Sequence, residues 1–106
     1  MTEQPNHYLE HSHMVFRQID HVVTREVAGE FLLVPVKGRL ADLQQIFAVN
    51  EVGRFIWEQL DGRRDLAQLH AALLHRFDVS PAQAQADLGE FIHQLRAAEL
   101  LEEVSP

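Results

Sequence analysis

The chain is expected to fold as an α+β domain in which a small three-stranded antiparallel sheet packs on three α-helices. Three observations lead there. Two β-rich runs flank a glycine-containing pair between residues 21 and 35, and a short uncharged run follows at Gln45–Val49. Three helix starts, at Asn50, Asp65 and Ser80, then each carry their own capping residue. A length of 106 residues with 46% hydrophobic content suits one domain with one modest core and little volume for an enclosed active-site cavity.

The elements follow in order. The segment up to about Asp20 is polar and rich in His, Gln and Glu, with no clean apolar period. Residues 1–14 read as a flexible tail that joins the fold near Val15, and residues 15–103 as the domain. Val22, Val23 and Val27, then Phe31 to Val34, flank Ala28-Gly29 and predict a hairpin. Pro35 has no N–H to give to a ladder, so it should end the second strand or lie at an unpaired edge. Val36 to Leu43 reads as a connection with room for one short helical turn. Gln45-Ile46-Phe47-Ala48-Val49 is then a third strand, with a lead-in to the next helix as the other option.

The helices are better punctuated. Asn50 is an N-cap followed by Glu51, whose charge suits a first turn. Val52, Phe55, Ile56 and Leu60 share a face, and Gly62 stands where a left-handed C-terminal residue belongs. Asp65 caps the second helix with Gln68 in capping-box position, and Leu66, Leu69, Leu73 and Phe77 form its stripe. Ser80-Pro81-Ala82-Gln83 combines an N-cap, proline at the first helical position and a capping-box glutamine. Ala84, Leu88, Phe91, Leu95 and Ala98 continue as the third stripe, with Ile92 beside it. A small sheet with three helices of this kind is a winged-helix-like layout.

Composition removes most chemistry. With no cysteine there is no disulfide and no thiolate metal site. The seven histidines include His7, His11 and His13 in the tail, but neither these nor His70, His75 and His93 form a convincing ligand set, so no metal and no cofactor are expected. Ser80 is spent as a cap, Lys37 is the only lysine, and the five glycines are isolated, with no phosphate loop. An enzyme is not expected. A formal charge of −7 opposes nucleic-acid and anionic-membrane binding, and the proposed helices present few basic residues to a groove in DNA. No long apolar run and no secretory signal are visible, so the expected location is cytoplasmic.

What remains is binding through the sheet edge. An outer strand leaves N–H and C=O groups unpaired, and an extended peptide can add there. Gln45–Val49 carries no charge of the sort that usually protects an edge, which fits a strand meant to be covered. Central pairing, or cover by a homodimer, would explain the same run.

The segment Asn50-Glu51-Val52-Gly53-Arg54-Phe55-Ile56-Trp57-Glu58-Gln59-Leu60-Asp61-Gly62 resembles the Asn-Glu…Trp…Asp-Gly stretch of the PqqD-like family. The likeness continues through Arg76-Phe77-Asp78-Val79, Asp87-Leu88…Phe91-Ile92…Leu95 and Leu100-Leu101, covering the chain from about Val15 to Glu103. The resemblance implies a non-catalytic peptide chaperone, or precursor-peptide recognition element. Such a domain binds the leader of a ribosomally made peptide and presents it to a modifying enzyme of the radical S-adenosylmethionine type. It further implies that the leader adds as a strand against Gln45, Ile46, Phe47, Ala48 and Val49, beside the third helix. On that helix Asp87, Phe91, Gln94 and Ala98 lie toward one flank and are the candidates for the groove. Phe91 serves equally well as core, and Trp57 reads as a residue of the helix–sheet rim rather than a ligand contact. The sequence departs from the family by Leu40–Gln44, which resembles a short insertion ahead of the third strand. A winged-helix DNA-binding regulator and a structural dimerisation module are the alternatives.

Overall fold

The computed structural model describes residues 12–104. Residues 1–11, most of the segment read as a tail and including His7 and His11, lie outside the described residues. In chain order the elements are β1 (Val15–Gln18), β2 (Val22–Val27), β3 (Glu30–Pro35), α1 (Gly38–Asp42), β4 (Phe47–Val49), α2 (Glu51–Gln59), β5 (Asp61–Asp65), α3 (Leu66–Arg76), α4 (Pro81–Ala97) and β6 (Leu101–Glu103). The strands form two antiparallel three-stranded sheets, ordered β2-β3-β4 and β5-β1-β6. The first is the expected sheet, and α2, α3 and α4 are the expected helices. The second sheet and the five-residue α1 add to that plan. No helix among the described residues is long and apolar enough to cross a membrane.

The hairpin forms around Ala28 and Gly29, whose φ values are 52° and 85°. Two positive φ angles mark the mirror-image turn whose twist matches its flanking strands. Ala28 holds a Cβ in this left-handed region, which costs an L-residue roughly 1–2 kcal/mol. Ala28→Asn is therefore expected to stabilise the fold by about 0.5–1 kcal/mol, seen as a higher urea midpoint at an unchanged m-value.

The third strand is shorter than Gln45–Val49. Its register pairs Phe31 with Val49, Leu32 with Ala48 and Leu33 with Phe47, so Val34 would next face Ile46 and the next hydrogen-bonded pair would be Pro35 and Gln45. Proline cannot donate, and the ladder stops. Gln44 adopts φ 58° after α1, and the Gln45 N–H bonds the Leu40 carbonyl at 3.0 Å, closing that helix instead of extending the strand.

The second sheet is built from three distant segments. β1 is its central strand, with β5 on one side and β6 on the other. The chain is tied down even earlier, because the Ser12 and Met14 carbonyls accept the Ala67 and Leu66 N–H groups at the start of α3. Gly62 has the left-handed φ expected of it, +83°, but not at the end of a helix. α2 ends at Gln59, and Gly62 lies within β5, where Val15 to Arg17 face the longer span from Asp65 to Asp61 across a bulge. At the start of β5, burial pushes the Asp61 carboxyl up. The hydrogen bond from the Arg63 N–H and the charge of Arg64 outweigh that, and it titrates below the ordinary carboxylate value.

The core lies between the sheets and helices. Ile56 and Trp57 of α2 and its C-cap Leu60 meet Leu66, Leu69 and Leu73 of α3 and Ala84, Leu88, Ile92 and Leu95 of α4. Phe16, Phe31 and Leu33 enter from the sheets. Trp57 is only 2% exposed, so it belongs to the core and not to a rim. From β1, which the sequence does not disclose, Gln18 donates its side-chain amide to the Trp57 backbone carbonyl at 2.6 Å. On α4 the buried stripe runs Ala84, Leu88, Ile92, Leu95, so Ile92 takes the core position and Phe91 lies on the flank.

Helix capping follows the sequence closely. Asn50 accepts the Gly53 N–H at 2.8 Å, and Asp65 and Gln68 form a complete capping box. Ser80 accepts the Gln83 N–H at 3.1 Å. The expected return bond from the Gln83 side chain does not form; its amide donates forward to Asp87 at 2.7 Å.

Candidate functional site

The alternation of hydrogen bonds along the sheet identifies its open edge. The two-residue turn makes Val27 and Glu30 a hydrogen-bonded pair, and the Val36 N–H bonds the His21 carbonyl at 2.7 Å at the other end of the hairpin. Glu30, Leu32 and Val34 therefore direct their backbone groups to β2, and Phe31 and Leu33 direct theirs to β4. On β4 the partners of these two, Val49 and Phe47, face β3. Ala48 lies between them and turns both its N–H and its C=O to the outer edge, which has no strand beyond it among the described residues. Its side chain is exposed, whereas Phe47 and Val49 are half-buried against the core.

Immediately after β4 the chain enters a groove of about 260 Å³, lined by Asn50, Val52, Gly53 and Ile56 of the first long helix and by Asp87, Glu90, Phe91 and Gln94 of α4. The two helices approach closely because residue 53 is glycine. A Cβ there would lie 3.1 Å from Cε1 of Phe91 and 3.3 Å from the Asn50 side-chain oxygen. Phe91 thus forms the apolar floor, with Val52 and Ile56 beside it, while Asp87 and Glu90 supply two carboxylates at the rim.

Asp87, Phe91 and Gln94 come together as the sequence suggests, and Phe47, Ala48 and Val49 form the strand that leads to the groove. Gln45 and Ile46 precede the strand. Ile46 is nonetheless the most exposed large apolar side chain described, at 59%. Ala98 is the C-cap of α4, half-buried and away from the groove lining. Sequence reasoning passed over Asn50, Val52, Gly53, Ile56 and Glu90. Glu90 was within reach, since residues 87, 90, 91 and 94 share one helical face. Asn50 and Gly53 were singled out only as cap and motif residues. No group of His, Asp and Glu that could hold a metal occurs among the described residues.

An α+β core with an open sheet edge leading into a helix-walled groove defines a winged-helix-like domain. The chain belongs to the PqqD family: the family described as Coenzyme PQQ synthesis protein D (PqqD) matches residues 30–101. Two solved structures share the fold. One, described as TbiB1 in complex with the TbiA(beta) leader peptide, is 24% identical, covers 81% of this chain and 94% of its own, and has a TM-score of 0.65. The other, lasso peptide synthetase B1 complexed with the leader peptide, is 14% identical, covers 82% and 96% respectively, and has a TM-score of 0.66. No curated protein sequence matches the chain.

Proposed function

We propose that this protein is a non-catalytic leader-peptide chaperone, which receives the leader of a ribosomally made precursor by strand addition to β4 and presents it to a modifying enzyme. The carrying observation is the outward N–H and C=O of Ala48, on an uncharged edge that runs straight into the groove at Asn50. One backbone group of each kind gives a peptide main chain its first pair of hydrogen bonds, and the apolar floor at Phe91 receives a side chain of the added strand. Both structures of similar fold hold leader peptides, and membership of the PqqD family favours a radical S-adenosylmethionine enzyme as the recipient. The two carboxylates of the groove would repel a nucleic-acid phosphate.

Titrating the isotopically labelled protein with a synthetic leader, taken from a precursor gene beside its own, is expected to shift the amides of Phe47–Val49 and of the Asp87–Gln94 face. Shifts produced by duplex DNA on the exposed faces of α3 and α4, with none from the peptide, would reject this function in favour of a winged-helix regulator.

A further inference from the structure

We propose that the groove selects its leader through a basic side chain, a lysine or arginine that lies along the apolar floor and ends at Asp87 and Glu90. The inference rests on the leader-binding function and specifies the chemistry of what is bound.

The charge distribution carries it. Glu26, Glu51, Glu58, Asp61, Glu99 and Glu102 each meet an arginine of this chain. Asp87 and Glu90 meet none among the described residues; neither do Asp20, Glu30, Asp42, Asp65, Asp78 and Glu103, but only Asp87 and Glu90 of these line the groove. Only neutral amides approach them, Gln83 at 2.7 Å from Asp87 and Gln94 at 3.5 Å from Glu90. No Lys, Arg or His lines the groove. The N-terminal end of α2 does point into it, but the Gly53 N–H is already satisfied by Asn50 and Glu51 opposes the helix charge.

The shape agrees with the charge. A volume of about 260 Å³ falls below the roughly 300–1,000 Å³ of pockets for drug-sized ligands and suits one long side chain. Lysine and arginine bury an aliphatic stem while keeping the charged head wet. Val52, Ile56 and the face of Phe91 offer that stem an apolar bed, and the Phe91 ring attracts a cation above it. An aliphatic leader residue would use the bed and leave two carboxylates unmatched. An acidic one would be repelled.

The test pans a displayed library of random peptides on the full-length protein and, in parallel, on the Asp87→Asn/Glu90→Gln double variant. Wild-type protein is expected to enrich Lys or Arg at a fixed spacing from apolar residues, and the double variant to return that position to the library background. For a selected peptide, replacing the basic residue by norleucine should weaken binding to wild type about tenfold, the size of one charge-assisted hydrogen bond, and leave binding to the double variant unchanged. Enriched peptides with no basic preference would overturn the proposal, as would a basic preference that persists in the double variant and so reflects only the protein's net charge. Failure to enrich any peptide on either protein would remove the leader-binding function itself, and the selection proposal with it.

Discussion

Ala48→Pro is expected to weaken leader binding by about tenfold to a hundredfold while the domain stays folded. The substitution deletes the one N–H that β4 turns outward and puts a ring carbon where an incoming carbonyl would sit. A lost backbone hydrogen bond that leaves its partner unsatisfied costs about 1–3 kcal/mol, and 1.4 kcal/mol is tenfold in affinity. The fold is spared for the same geometric reason. Ala48 gives no hydrogen bond to β3, so proline removes nothing from the ladder, and an edge strand tolerates it. Phe47, the preceding residue, is already extended, as a residue before proline prefers. Isothermal calorimetry with the leader, beside unchanged circular dichroism and thermal unfolding, separates the two effects. Undiminished affinity would show that the leader does not add to this edge. A collapse of the dichroism spectrum would instead show that Ala48 bonds inward and that the assigned register is wrong.

Trp57→Ala is expected to cost about 3–5 kcal/mol, the usual range for truncating a buried aromatic. Against a typical total of about 5–15 kcal/mol, that brings the domain close to its unfolding threshold. Trp57 is 2% exposed and lies in the core with Ile56 and Leu60, beneath the Gln18 bond that ties β1 to α2. Its removal leaves a large cavity at the junction of both sheets, where rigid strands cannot close it. Urea unfolding followed by circular dichroism would measure the loss. Trp57 is also the only tryptophan, so its fluorescence reports unfolding in the wild type and is absent from the variant. A cost below about 1 kcal/mol would mean that the side chain is not packed as described.

The difference between the two positions shows which parts of this molecule its sequence discloses. Capping is local: the chemistry of Asn50, Asp65 and Ser80 acts within three residues, and all three helix starts stand where those residues put them. The Ala28-Gly29 turn is equally local, and so is the flank of α4 that carries Asp87, Phe91 and Gln94. The family signature in Asn50–Gly62 added the kind of ligand to expect without adding any geometry.

Tertiary structure decided the rest. Strands β1, β5 and β6 are short and mixed in polarity, and each is stable only because partners tens of residues away complete its ladder. No window of sequence contains that pairing. This second sheet drew Gly62 out of a helix terminus into a bulge, although the left-handed backbone of Gly62 was legible in advance. The length of β4 was set by the register that places Pro35 opposite Gln45, and that same register turned Ala48 outward. The sequence by itself determined where the helices begin, where the hairpin turns and which family the chain resembles, because those depend on neighbouring residues. Which strand edge stays open, and which side chains meet across the groove, depended on long-range pairing and on the close approach that Gly53 allows to Phe91.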